Sequence, residues 1–166
     1  TYNGDHMSMY GVNASIPKTL IRWMIAAIAD SEEFVPAKAV LEDILDTPIS
    51  PELLPPDESG KISQYTEDLV GPYALHDFFL YYMLRFGFAP RKIFTLACRA
   101  FEGDFDGETV KKWLKAFYRR FFTQQFKRSC LPDGVKVGSV CLSPRGDWRM
   151  PSDAVGRIWL QEVEQL

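Results

Sequence analysis

Val110, Trp113, Leu114, Phe117, Tyr118 and Phe121 recur at i, i+3, i+4, i+7, i+8 and i+11. That spacing is one face of an α-helix and fits no strand, whose faces alternate with period two. A stripe this apolar has to be buried, so the rest of the chain must supply elements to cover it. Asp106, just ahead of the stripe, is placed to cap the helix. The opposite face carries Lys111, Lys112, Lys115, Arg119 and Arg120. An aromatic stripe of this kind is far more often core than a platform for stacked bases, and such a basic face is usually solvated.

Other segments repeat the helical signal. Ser15 in N-cap position, with Pro17 just inside, opens a helix with Leu20, Ile21, Met24, Ile25 and Ile28 inward. A second runs from about Pro36 to Leu45 with Val40, Leu41, Ile44 and Leu45 inward. Residues 46–66 hold Pro48, Pro51, Pro55, Pro56, Asp57 and Gly60, which predict an internal loop. A third helix spans Tyr73 to Phe86 with Gly87 as C-cap. Pro90 opens a fourth, carrying Ile93, Phe94, Leu96, Ala97 and Phe101. After Pro132-Asp-Gly134, residues 136–142 alternate enough for a short strand. Ser152 is expected to cap a last helix with Val155, Ile158, Trp159 and Val163 inward. About six helices and little strand make the chain mainly α.

Composition narrows the class. At 166 residues, 46% hydrophobic and net charge −3, the chain is expected to be globular, of about one domain, rather than disordered. Its longest apolar run, around Met24 to Ala29, is far short of the roughly 20 residues of a spanning helix. No signal peptide opens it, and no Met does, so Thr1 is expected to continue a longer polypeptide. Cys98, Cys130 and Cys141 form no paired framework, which points to a reducing, cytoplasmic setting. With only His6 and His76 available, no metal site is expected.

Charge is divided along the chain. Residues 1–83 hold 4 basic and 13 acidic side chains, net −9, whereas 84–166 hold 15 and 9, net +6. The basic half is suited to face anions: nucleic acid, phosphates of a small ligand, or the acidic half itself. Lys18, in the first turn of its helix, opposes the helix dipole unless an anion sits at that end. A solvated lysine whose stem reaches away is the alternative. Lys127-Arg128 sits where the long helix should end, beside Pro132-Asp-Gly. No Gly-rich phosphate loop, no G-x-S-x-G elbow and no Cys/His pair with nucleophile–base spacing occurs. The residues alone give a mostly helical chain with an anion-facing half, and no reaction.

Longer motifs go further. They are Tyr2-Asn-Gly-Asp-His-Met-Ser8, Val12-Asn-Ala-Ser-Ile-Pro-Lys-Thr19, Leu45-Asp-Thr-Pro-Ile-Ser-Pro-Glu-Leu-Leu54 and Val70-Gly-Pro-Tyr-Ala-Leu-His-Asp-Phe78. Phe117-Tyr-Arg-Arg-Phe-Phe122, Gln125-Phe-Lys-Arg-Ser129, Leu131-Pro-Asp-Gly134 and Leu142-Ser-Pro-Arg-Gly-Asp-Trp-Arg-Met-Pro-Ser-Asp153 continue the series. Together they resemble, nearly end to end, the C-terminal part of the synthetase domain in long, glutamine-dependent NAD+ synthetases.

The resemblance implies a helical C-terminal segment, residues 1–166, of a Rossmann-like α/β synthetase domain of the adenine-nucleotide α-hydrolase-like type. The glutaminase domain and the ATP-loop half would precede it. It implies a ligase that adenylates the nicotinate carboxylate of deamido-NAD+ with ATP and displaces AMP with ammonia released from glutamine. Magnesium would accompany ATP, held by a Glu before this chain. Such a segment would be inactive alone, and the parent enzyme a homo-oligomer without membrane contact. Lys18 and Ser50 match ATP-contacting positions. Lys127 matches a deamido-NAD+-contacting lysine, while Phe126 stands where short ammonia-dependent enzymes have His. Tyr2 and Met9 stand where short forms carry Lys and Asp ligands, and those contacts do not carry over. Asp147 and Arg149, with Arg128 nearby, either close the active site or the path from the glutaminase, or form an internal ion pair. Asp5 and Asn13 either line the nucleotide pocket or form turns. The competing reading is a helical anion- or nucleic-acid-binding or oligomerisation module. A pI near 5.4 weighs against nucleic acid.

Overall fold

A computed structural model describes residues 9–47 and 70–166. Every regular element among the described residues is helical: α1 (Lys18–Ala29), a 3-10 turn (Glu32–Ala37), α2 (Lys38–Asp46), α3 (Tyr73–Phe86), α4 (Pro90–Ala100), α5 (Gly107–Thr123), α6 (Gln125–Ser129) and α7 (Arg157–Glu164). The chain divides into two compact units, Pro17–Ala74 and the residues up to Ile16 with Leu75–Leu166. The predicted 46–66 loop lies outside the described residues apart from Asp46, which ends α2, and Thr47, its C-cap.

The larger unit holds the core. Val110, Leu114, Phe117, Tyr118 and Phe121 of α5 are buried, as their spacing predicts, and Trp113 packs half-buried against them. Leu75, Phe79 and Met83 of α3, Ile93 and Ala97 of α4 and Val163 of α7 complete the cluster. Each fully buried Leu, Ile or Phe side chain contributes about 1.5–3 kcal/mol by leaving water. Phe117 and Phe79 meet at 5.7 Å between ring centroids, and Phe121 meets Trp148 edge-on at 5.5 Å. Asp106 caps α5, accepting from the Thr109 N–H at 2.7 Å. Gly87 follows α3 at φ +64°, a conformation that suits glycine at a C-cap.

Part of α5's basic face is spent inside the fold. Lys111 Nζ donates to the Leu166 carbonyl at 2.7 Å, and Lys115 pairs with Glu164 at 2.9 Å. The Arg91 N–H at the start of α4 donates to Glu162 at 2.9 Å. These contacts fasten α7 onto α4 and α5.

The smaller unit buries little among its described residues. Its α1 and α2 lie against each other, yet Ala29 is its one buried side chain among the described residues. Of the apolar positions expected to point inward, Leu20, Met24 and Ile28 are about two-fifths exposed, and Val40 and Ile44 more than half.

Four local expectations need correction. Ser15 does not cap α1: it takes φ +68° and turns its hydroxyl elsewhere, and Pro17 itself is the N-cap residue. The 3-10 turn replaces the expected start of the second helix. Residues 136–142 form no strand, because the Val137 and Gly138 N–H groups donate to the Ser15 hydroxyl and not to a neighbouring strand. The last helix starts at Arg157 with Gly156 as N-cap, after a turn closed by the Ala154 N–H on the Pro151 carbonyl at 3.1 Å. Val155 and Ile158 therefore point out, 72% and 73% exposed, while Val163 is buried.

Candidate functional site

Residues 127–149 carry five cations, Lys127, Arg128, Lys136, Arg145 and Arg149, and two carboxylates, Asp133 and Asp147. The structure assigns a partner to four of the cations. Arg128 folds back on α5: its Nη2 donates to the Phe121 carbonyl at 2.6 Å, and its guanidinium lies 4.3 Å from the Phe121 ring centroid. It thus satisfies a carbonyl near the end of α5 that the helix itself leaves open. Burial pulls its pKa below the usual arginine value. Arg145 donates to the Asp133 carboxylate and to the Leu131 carbonyl. Lys136 pairs with Asp147 at 2.5 Å, and that hydrogen bond is the main reason the Asp147 carboxyl sits below its ordinary pKa. Arg149 does not pair with Asp147: its Nη2 donates to the Arg145 carbonyl at 3.1 Å.

Lys127 is the exception. It lies exposed on α6, and among the described residues its ammonium has no partner. α6 is only one turn long, and it stands where α5 breaks at Gln124, so the chain presents Lys127 outward while Arg128 anchors inward. Gln125, at its start, donates to the Met150 carbonyl at 2.6 Å and ties α6 to the end of the loop. Phe126 beside it is half exposed.

The same loop is docked on the segment before α1. The Gly11 N–H donates to the Asp133 carbonyl at 2.6 Å. The Ser15 hydroxyl accepts from both Val137 and Gly138 N–H at 2.9 Å. The two strands of chain approach so closely that a Cβ on Gly134 would stand 2.3 Å from the Gly11 carbonyl oxygen, and one on Gly138 2.5 Å from that of Ser15. Asn13 lies exposed in this segment, its carbonyl accepting from the Ile16 N–H at 3.1 Å, a turn position. Met9 is 99% exposed.

Lys18 belongs to the smaller unit. It is the first residue of α1, whose N-terminus no side chain caps. Its ammonium accepts no proton but donates to the Tyr73 hydroxyl at 3.2 Å and lies 4.7 Å from the Tyr73 ring centroid. Tyr73 therefore steers the lysine, a contact no sequence spacing announced. Asn13, Lys127, Arg128, Asp147 and Arg149 share the larger unit, whereas Asp5 and Ser50 lie outside the described residues. The Ser15 and Arg145 contacts were also missed, although the glycines at 134 and 138 were a visible sign of close approach. Among the described residues no three His, Cys, Asp or Glu side chains gather as a metal site.

Helix N-terminal N–H groups and cationic side chains both favour anions. No family model matches the chain. The sequence is 45% identical over 184 aligned residues to the glutamine-dependent NAD(+) synthetase of Mycobacterium leprae, covering 98% of this chain and 26% of that protein. It is 43% identical to the enzymes of the same name from Mycobacterium bovis and Mycobacterium tuberculosis, with the same coverage. A crystal structure of a glutamine-dependent NAD(+) synthetase from Cytophaga hutchinsonii shares the fold over 99% of this chain, with a TM-score of 0.70 at 19% identity. The chain spans about a quarter of the length of the curated relatives it matches. Over that segment it is similar to glutamine-dependent NAD+ synthetases.

Proposed function

We propose that the full-length protein carrying this chain is a carbon–nitrogen ligase that converts deamido-NAD+ to NAD+ with ATP and ammonia drawn from glutamine. In the first step a nicotinate carboxylate oxygen attacks the α-phosphorus of ATP and pyrophosphate leaves. In the second, ammonia attacks the acyl carbon, loses a proton, and AMP departs with the carboxylate oxygen. Both substrates carry pyrophosphate charge, so the main demands on this segment are positioning and neutralisation.

Lys18 supplies a cation to ATP at the N-terminus of α1, where helix N–H groups also favour phosphate. Ser50 is a second ATP contact. Lys127 neutralises the pyrophosphate of deamido-NAD+. The observation that carries the reading is that Lys127 has no partner among the described residues in a loop whose other cations all have one. Arg128, Asp147 and Arg149 shape the loop from within, beside the active site or the path from the glutaminase. Of the two further candidates for the nucleotide pocket, Asp5 and Asn13, the latter is at a turn. Magnesium arrives with ATP and is held outside these residues, so the segment alone is inactive. The enzyme works in the cytoplasm as a homo-oligomer, with no membrane or nucleic-acid partner. Commitment of Lys111 and Lys115 to α7 counts against nucleic acid, because it takes two cations from the face that would meet phosphates.

Heavy-oxygen labelling tests the proposal. Deamido-NAD+ labelled in its carboxylate is expected to yield AMP carrying one heavy oxygen in its phosphate, read by mass spectrometry. NAD+ formed with unlabelled AMP would rule out the adenylate.

A further inference from the structure

The docking of residues 131–138 on residues 11–15 has no part in the reading above, yet it brings two backbone segments into close contact. Three hydrogen bonds join the two segments: Gly11 to Asp133, and Val137 and Gly138 to the Ser15 hydroxyl. Gly134 and Gly138 admit the approach by having no Cβ, and the obstructing atoms would be backbone carbonyls that cannot swing aside. Pro132 packs against Gly11, its Cγ 3.6 Å from where a Cβ would stand there. Ser15 pays a local conformational cost, φ +68° in a non-glycine residue, and its hydroxyl receives two N–H groups in return. Arg145 holds the Leu131–Asp133 end from the other side. The first segment leads along the chain to Lys18, three residues after Ser15. The second follows Lys127, with Leu131 four residues on.

We propose that this contact is a positioning latch for both nucleotide lysines, with Ser15 and Gly134 as its positioning residues. It rests on the roles given above to Lys18 and Lys127. Because one latch fixes the chain leading to one lysine and the chain leaving the other, loosening it disturbs both subsites. Loss of either lysine disturbs one. Displacements on the ångström scale are enough to cost about a hundredfold in rate when reacting groups are held for in-line attack.

The test uses the full-length protein. Gly134→Ala forces the segments apart, and Ser15→Gly keeps the left-handed backbone while removing the hydroxyl, so it remains informative should Gly134→Ala not fold. In each variant the KM for ATP and the KM for deamido-NAD+ are expected to rise together, by about tenfold for Gly134→Ala and about threefold for Ser15→Gly. A purely structural contact would lower the melting temperature and leave both KM values in place, and that result, or a rise in only one KM, would overturn the latch. Amide exchange gives a readout that needs no turnover. ATP alone is expected to slow exchange across residues 131–138 in the unaltered protein but not in Ser15→Gly. Exchange there that ignores ATP in the unaltered protein would also overturn it. Failure of the protein to make NAD+ while ATP still protects 131–138 would sink the ligase reading and the Lys127 half of the latch, and leave the contact as a latch for the ATP-side lysine alone.

Discussion

Lys127 and Arg128 are adjacent and chemically alike, yet the fold uses them oppositely. Arg128 is spent on the Phe121 carbonyl and ring. Lys127 is left for something else, and charge alone could not have told them apart. In the full-length protein Lys127→Ala should raise the KM for deamido-NAD+ about tenfold or more, since charge-assisted contacts to phosphate are worth roughly 1.5–3 kcal/mol, and should leave the KM for ATP nearly unchanged. Steady-state kinetics with each substrate varied in turn decides it, and equal effects on both would remove Lys127 from its assigned subsite. Asp147 gives a second test. Its folded pKa lies below its ordinary value of 3.8, chiefly through the hydrogen bond from Lys136. A carboxylate with a depressed folded pKa adds stability above its unfolded value, and that stability is lost as pH falls through the folded one. The pair is partly exposed, so the contribution is less than about 1 kcal/mol. The 131–150 loop should loosen below pH ~4, visible as a change in the fluorescence of Trp148, which packs on Phe121. In Asp147→Asn that step should vanish, and a step unchanged by the substitution would contradict the assignment.

Elements differ in how legible they are. α3 and α5 are read correctly from the chain because their information is local: a 3.6-residue apolar period, Asp106 before one and Gly87 after the other. The strand expected at 136–142 fails for the opposite reason. A strand needs a partner, and the N–H groups of Val137 and Gly138 find a serine more than a hundred residues away. Ser15 and Ser152 both look like caps by composition, but the left-handed backbone of one and the turn after the other move the helix starts to Lys18 and Arg157. Of the site residues, the pattern picked out Lys127 as distinct, whereas the Tyr73, Arg145 and Ser15 contacts depend on long-range geometry. Leu114 is fully buried midway along α5. Leu114→Ala should cost about 2–5 kcal/mol by opening a cavity, measured by denaturant unfolding. Tyr118→Phe, also on α5, should cost little or stabilise, because the Tyr118 hydroxyl is buried without a hydrogen-bond partner among the described residues. A loss above about 2 kcal/mol would reveal a partner for it.

At the scale of the molecule, one unit has a core, while among the described residues of the other Ala29 alone is a buried side chain. The larger unit buries aromatic and aliphatic side chains from α3, α4, α5 and α7, while α1, the 3-10 turn and α2 expose Trp23, Val35 and Val40. The charge division follows the chain in a similar way: the basic residues concentrate after residue 84, and the structure spends many of them on internal contacts. The central claim is that this segment serves an NAD+-forming ligase. The measurement that meets it most directly is NAD+ production by the full-length protein from deamido-NAD+ and ATP, with glutamine or ammonium as nitrogen source. Turnover with either source, accompanied by AMP and pyrophosphate in equal amounts, is the predicted result. A folded full-length protein that forms no NAD+ from either source would contradict the account.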